Sequence, residues 1–106
     1  MKKHISEAVE ITTFRLNGYS CKEFIEANKE TDQFLKAQKG FKSRRIFEQS
    51  GLITDMLIWE NAENGTAAMH KLMSALSDSK VHAMINQNTV VWNIANVEHF
   101  IENQSL

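Results

Sequence analysis

Residues 40–61 read GFKSRRIFEQSGLITDMLIWEN, two runs with alternating apolar positions on either side of Ser50-Gly51. Alternation with a period of two is the mark of strands, and a glycine between two such runs marks a hairpin. A three-residue loop, Gln49-Ser50-Gly51, places Gly51 where a positive φ is needed. That register sets Phe47 opposite Ile53, Arg45 opposite Asp55, Ser43 opposite Leu57 and Phe41 opposite Trp59. A two-residue turn at Ser50-Gly51 sets Arg45 against Met56 and Ile46 against Asp55 instead. The first register matches like with like and a cation with an anion, so it is the one expected.

The same reading extends along the chain. Residues 9–16, VEITTFRL, form a strand with Val9, Ile11 and Thr13 on one face and Phe14 and Leu16 on the other. Asn17-Gly18 ends it. Ser20 with Glu23 is a capping-box pattern, which predicts a helix to about residue 38 with Gly40 as its stop. The inward stripe of that helix holds Cys21, Phe24, Asn28, Thr31 and Leu35. Asn28 and Thr31 thus sit where a plain core wants Leu or Ala. After the hairpin strands (41–48 and 52–60), Asn61 is the N-cap of a second helix. Its face carries Thr66, Met69, Met73 and Leu76, with Leu72 beside them. Ser77-Asp78-Ser79 interrupts it, and a shorter piece over residues 80–87 offers Val81, Met84 and Ile85, with Asn88 as its C-cap. Residues 90–100, VVWNIANVEHF, are the last strand.

The order β-α-β-β-α-β predicts a ferredoxin-like α+β fold, with two helices on one face of a four-stranded antiparallel sheet and the second helix broken. Helix and strand lengths agree, at about 28 Å and about 26 Å. The second sheet face decides more. On the hairpin, Phe41, Phe47, Ile53, Leu57 and Trp59 share one face, and Ile46, Leu52, Met56 and Ile58 the other. A sheet with one wet face alternates cleanly, and this one does not. A homodimer through the sheet faces, closed by two-fold symmetry, is therefore expected.

Composition narrows the classes. The chain has 106 residues, enough for one domain over 1–106, with residues 1–8 and 102–106 expected as flexible ends. The formal net charge of −1 gives no field that draws in nucleic acid or an anionic membrane. No apolar run reaches the roughly 18 residues of a spanning helix, and no apolar segment follows the first lysines as in a secretory signal. Cys21 is the only cysteine. These features favour a cytoplasmic location.

Candidate chemistry is sparse. Asn28, an amide on an apolar stripe, is a candidate to orient a substrate carbonyl or hydroxyl; the alternative is a structural amide bonded to backbone. His82, beside Val81 and Ile85, is a candidate proton shuttle or a rim histidine. His70, His4 and His99 lie off the stripe or near the ends. Metal-ligand spacing is missing among His70, His82 and Cys21, so no metal site and no cofactor is expected. The basic run Lys39, Lys42, Arg44 and Arg45 is split by strand alternation, with Arg45 expected to pair with Asp55, which argues against nucleic-acid binding.

Gly40-Phe41 opening the second strand, Arg44 within it, Trp59 ending the third, and Ala67-Ala68 in the following helix carry a resemblance. Over residues 9–100 the chain resembles the dimeric α+β barrel superfamily that includes antibiotic-biosynthesis monooxygenases and related small stress proteins. The resemblance implies a pocket between sheet and helices in each subunit. Here Phe24, Thr31, Trp59, Met69, Met73, Met84 and Trp92 would line it, with Asn28 and His82 as the catalytic candidates. It also implies a small aromatic or quinol-type substrate, oxidised by oxygen without metal or flavin, or a small apolar ligand bound without catalysis. An interaction-only dimer is the third reading. The haem-degrading branch is not matched: the first strand has Ile11-Thr12-Thr13 where that branch has Asn, the second helix has no Trp, and Asn86 falls near the late His, with His82 one turn earlier. The Asn/Trp/Tyr set of quinone-forming members has no clear counterpart, and Tyr19 falls in a loop.

Overall fold

The computed structural model describes residues 6–103, which leaves His4 outside. Its elements are β1 (Ala8–Leu16), α1 (Cys21–Ala27), α2 (Lys29–Lys36), β2 (Phe41–Gln49), β3 (Leu52–Trp59), α3 (Ala62–Leu76), α4 (Lys80–Met84) and β4 (Ile85–Asn96). The strands form one antiparallel sheet in the order β2-β3-β1-β4. This is the ferredoxin-like α+β arrangement expected, with both helical segments divided in two.

The caps explain where the helices start. Ser20 and Glu23 close a reciprocal capping box, and the side chains of Asn61 and Ser79 accept the backbone N–H groups of Asn64 and His82. Two boundaries differ from expectation. The first helix is not continuous: Asn28, at φ −88° and ψ 8°, separates α1 from α2. The piece expected over residues 80–87 stops at Met84, and Ile85 is already strand, so Asn88 caps nothing. Pairing of Leu16 with Ile85 and of Arg15 with Asn86 pulls this segment into the sheet. The Asn17 amide fixes the crossing by donating to Ala83 O and Ile85 O.

The hairpin register also differs. Arg45 lies opposite Met56, Ile46 opposite Asp55 and Phe47 opposite Thr54. The turn is therefore the two-residue one, with Ser50 at φ 51° and Gly51 at φ 82°. Two positive φ values in succession give the primed turn whose twist matches that of the strands, and this outweighs the like-with-like pairing of the longer loop. The Phe41–Trp59 pair survives because a bulge between Phe41 and Ser43 absorbs the extra residue. Faces change accordingly. Ile46 turns toward the helices and Phe47 toward the open side.

The helix-covered face carries two apolar clusters. Phe14, Phe24, Ile53 and Met84 form one, and Leu35, Leu57, Trp59 and Ala68 the other. In α3 the buried positions are Gly65 and Ala68, so the inward stripe is rotated from the one expected, and Met73 is 63% exposed. The opposite sheet face keeps its apolar character: Ile11, Phe47, Leu52 and Val91 are all more than one third exposed there. No helix of the described residues is long and apolar enough to cross a membrane.

The turn can be tested directly. Ser50→Asn, which tolerates the left-handed region, is expected to raise stability by roughly 0.5 kcal/mol, and Gly51→Val to lower it by roughly 1–2 kcal/mol. Urea denaturation reads both. Identical midpoints for all three chains would contradict the two-residue turn.

Candidate functional site

Strand alternation places Ala8, Glu10, Thr12 and Phe14 of β1 toward the helices. Glu10 is therefore a carboxylate on the core face, only 6% exposed. A buried charge needs partners, and the strands on both sides supply them. Trp59 of β3 donates its indole N–H to Glu10 Oε1 at 2.8 Å, and Trp92 of β4 donates to Oε2 at 2.6 Å. Burial raises the carboxyl above its ordinary range; the two indoles and Arg44 pull it back, while Asp55 pushes it up further.

A second polar group crosses the same layer. Arg44 of β2 donates Nε and Nη2 to the two oxygens of Asp55, at 3.0 and 2.7 Å. Its Nη1 donates to Asp32 Oδ1 at 2.7 Å and its Nη2 to Asn28 Oδ1 at 2.8 Å. The Asn28 amide in turn donates to Phe24 O at 2.7 Å. Asn28 thus satisfies the break between α1 and α2 and accepts from Arg44 with its other end. The Arg44 side chain is 9% exposed and that of Asp55 13%, so the fork works in a poorly screened space. Burial lowers the Arg44 pKa, but the hydrogen bonds and charges of Asp55 and Asp32 outweigh it and the net shift is upward.

Between this sheet surface and the four helices lies a cavity of about 460 Å³. On the sheet side it meets Glu10, Thr12, Arg44, Asp55 and Trp92; on the helix side it meets chiefly Met69, Leu72, Leu76 and Val81. Exposed Met73 and His82 stand where the lining reaches solvent. A recess of about 420 Å³ lies against Lys29, Asp32, Gln33, Lys36 and Phe41, and Arg44 borders it too. Its walls are mostly long charged or polar side chains, which hold a ligand poorly, so the larger, more apolar cavity between sheet and helices is the candidate site.

Of the residues expected from the sequence, Phe24, Asn28, Thr31, Met69, Met73, His82 and Trp92 line this cavity. Trp59 and Met84 are not among its lining residues. Trp59 is fully buried, edge-on to Phe41 and hydrogen-bonded to Glu10. Met84 packs into the cluster of Phe14, Phe24 and Ile53. The expected Arg45–Asp55 pair does not form; Arg44 takes Asp55, because the two-residue turn puts Arg44 on the helix-covered face. Cys21 has its thiol pKa pushed up, first by burial and then by Glu48, which makes it a poor nucleophile. His70 and His99 are exposed. Among the described residues no three His, Cys, Asp or Glu side chains converge as metal ligands.

Sequence reasoning missed Glu10, Arg44 and Asp55. A signal existed for Glu10, since it shares a strand face with Phe14. The partners depended on register and were not readable.

Neither a family model nor a curated protein matches the sequence. Solved structures match the fold. A mutant of SnoaB, a cofactor-independent oxygenase from Streptomyces nogalater, superposes with a TM-score of 0.72 at 14% identity, over 92% of this chain and 99% of that one. The chain has the antibiotic-biosynthesis-monooxygenase fold. A monooxygenase from the ActVA-Orf6 gene of Streptomyces coelicolor, in complex with nanaomycin D, shares that fold with a TM-score of 0.66 at 15% identity, covering 93% of this chain and 94% of its own. So does a conserved protein of unknown function from Bacteroides thetaiotaomicron, described as a possible oxidoreductase (TM-score 0.63, 17% identity, 89% of this chain and 100% of that one).

Removing the guanidinium should be costly within this fold. Arg44→Met leaves Asp55 buried without its cation and is expected to lose roughly 3–5 kcal/mol by chemical denaturation. Arg45→Ala, on the open face, should stay within about 0.5 kcal/mol. Equal losses would show that Asp55 draws its partner from Arg45.

Proposed function

We propose that this chain binds a small flat aromatic molecule of phenol or quinol type in the cavity and oxidises it with molecular oxygen, without a cofactor. The observation that carries this reading is the cavity itself: about 460 Å³, apolar toward the helices and charged toward the sheet. Small-molecule sites fall in the range of roughly 300–1,000 Å³ and combine such walls with a few fixed polar groups. The fold is shared with a cofactor-independent oxygenase and with a monooxygenase holding nanaomycin D, which supports the reaction class. The reaction balances with the substrate's own electrons. A phenol and one O₂ give a quinone and one water; one oxygen atom becomes the new carbonyl and the other leaves as water. The apolar walls exclude water from the reactive anion. His82, at the edge of the cavity, passes protons to solvent, and Asn28 holds Arg44 in place beneath the substrate.

Oxygen uptake with a panel of naphthols and quinols tests this. Saturable uptake with one quinone formed per O₂ is expected, and Leu72→Trp, which fills the cavity, should abolish it while the chain stays folded. No uptake by wild type across the panel would end the reading. A non-catalytic binding module is the second reading, favoured by one feature: Arg44, Asp55 and Asn28 are already bonded to one another. Saturable binding without uptake would leave that one.

The open sheet face supports a homodimer, with Val91, Ile11, Phe47 and Leu52 buried against a second copy. Sedimentation should give twice the chain mass, and Ile11→Glu should give a monomer. A wild-type monomer at micromolar concentration would contradict it.

A further inference from the structure

Most polar groups at the cavity are committed to each other. Arg44 gives four of the five N–H groups a guanidinium carries to Asp55, Asp32 and Asn28. Asn28 spends its oxygen on Arg44 and donates to Phe24 O. Glu10 is different. Each of its oxygens accepts one indole N–H, while a carboxylate has about four acceptor positions. Among the charged groups of the lining, Glu10 therefore has spare acceptor capacity with no cation bonded to it.

We propose that Glu10 is the hydrogen-bond anchor of the cavity and the acceptor of its ligand's proton, and that the ligand is an uncharged flat molecule presenting a hydroxyl. This deepens the preceding reading and rests on it for the aromatic class, but it concerns recognition rather than the reaction with oxygen. Charge disfavours an anion. Glu10 and Asp55 face the cavity against Arg44 alone, with Asp32 adding a further half-exposed carboxylate behind it. An ammonium brings three donors to desolvate, and over much of the helix side Met69, Leu72, Leu76 and Val81 offer it no acceptor, the polar groups there being Asn28, Thr31, Ser77, Ser79 and His82. A hydroxyl brings one donor and an apolar ring behind it. In the transfer step the ligand O–H bond breaks, its electron pair stays on the ligand oxygen, and the proton joins a Glu10 oxygen. The number of negative charges in the cavity is unchanged, so the step adds no charge beside Glu10 and Asp55. Binding a phenolate formed in water would add one.

The charged and polar groups around Glu10 come from every neighbouring element: Trp59 and Asp55 from β3, Arg44 from β2, Trp92 from β4, Asp32 from α2 through Arg44, and His82 from α4 at the edge. From α3 only Met69, Leu72, Met73 and Leu76 reach the lining. Burial keeps the carboxyl of Glu10 above its ordinary value of 4.5, which makes it a stronger base than a surface glutamate.

Calorimetric titration of the full chain with 2-naphthol, 2-naphthoate and 2-naphthylmethylamine tests the assignment. Naphthol is expected to bind saturably, and the acid and the amine at least tenfold more weakly. Naphthol affinity should fall as pH drops through the Glu10 pKa, with a midpoint above 4.5. Glu10→Gln should bind naphthol about tenfold more weakly, with a flat profile, because a neutral amide accepts a weaker bond and no proton. The chain has 2 tryptophans and both donate to Glu10, so the indole fluorescence of ligand-free wild type should show the same midpoint, with no variant needed. Acid or amine binding as tight as naphthol, or a pH-independent naphthol affinity in wild type, overturns the proposal. Naphthol binding with this profile but no oxygen uptake would sink the oxidation and leave Glu10 in its role. Uptake unaffected by Glu10→Gln would do the reverse.

Discussion

The Arg44 guanidinium is the interaction on which the interior depends. From an edge strand it bonds Asp55 on the next strand, Asn28 at the joint between α1 and α2, and Asp32 on α2. Apolar contact alone would let the helices settle onto the sheet as one continuous core. Instead the core is divided into two clusters, with Phe24 and Met84 in one and Leu35 and Trp59 in the other. Asn28, Arg44, Asp55 and Glu10 form a polar band on the same surface. A buried ion pair is a weak source of net stability compared with apolar residues of similar volume. Its place in the middle of a small core gives one wall of the cavity its charge.

Glu10 completes the band from the other side. Its two indole donors are themselves constrained. The indole of Trp59 lies against Gly65 of α3, where a Cβ would stand 2.8 Å from Trp59 Cδ1. That close approach keeps α3 near the Trp59 end of the sheet. Met69, Leu72 and Leu76, further along α3, are left to wall the cavity. Position of the helix, orientation of the indole and placement of the carboxylate are one chain of contacts. The candidate site is therefore built mainly on strands and helices rather than on loops, the kind of frame that fixes side-chain positions.

Much of this was legible in the sequence. Alternation gave β1, β2 and β3 to within a residue at each end but placed β4 at 90–100 where it runs Ile85–Asn96, and the capping patterns at Ser20 and Asn61 gave the helix starts. Asn28 and Thr31 stood out as polar positions on an apolar stripe, and both line the cavity. Register was misread because side-chain matching was weighed above turn twist; a bulge near Phe41 then hid the error by preserving the Phe41–Trp59 pair. With Arg44 and Arg45 exchanged between faces, the partner of Asp55 was misassigned. The helix break at Asn28 goes with a local bond from its amide to Phe24 O, four residues back, and a tertiary one from Arg44, and the second depended on register. The α4–β4 boundary was set by pairing with β1, which propensity does not contain.

The central claim is that the band of Glu10, Trp92, Arg44 and Asp55 forms one wall of an open site that receives a ligand. Indole N–H resonances in a ¹⁵N-labelled sample report on that band directly. On addition of a naphthoquinol the account predicts that the Trp92 indole signal, which faces the cavity, shifts strongly, and that of Trp59, behind Glu10, shifts less. Unmoved indole signals, with shifts confined to residues such as Ile11 and Val91 on the open sheet face, would contradict it.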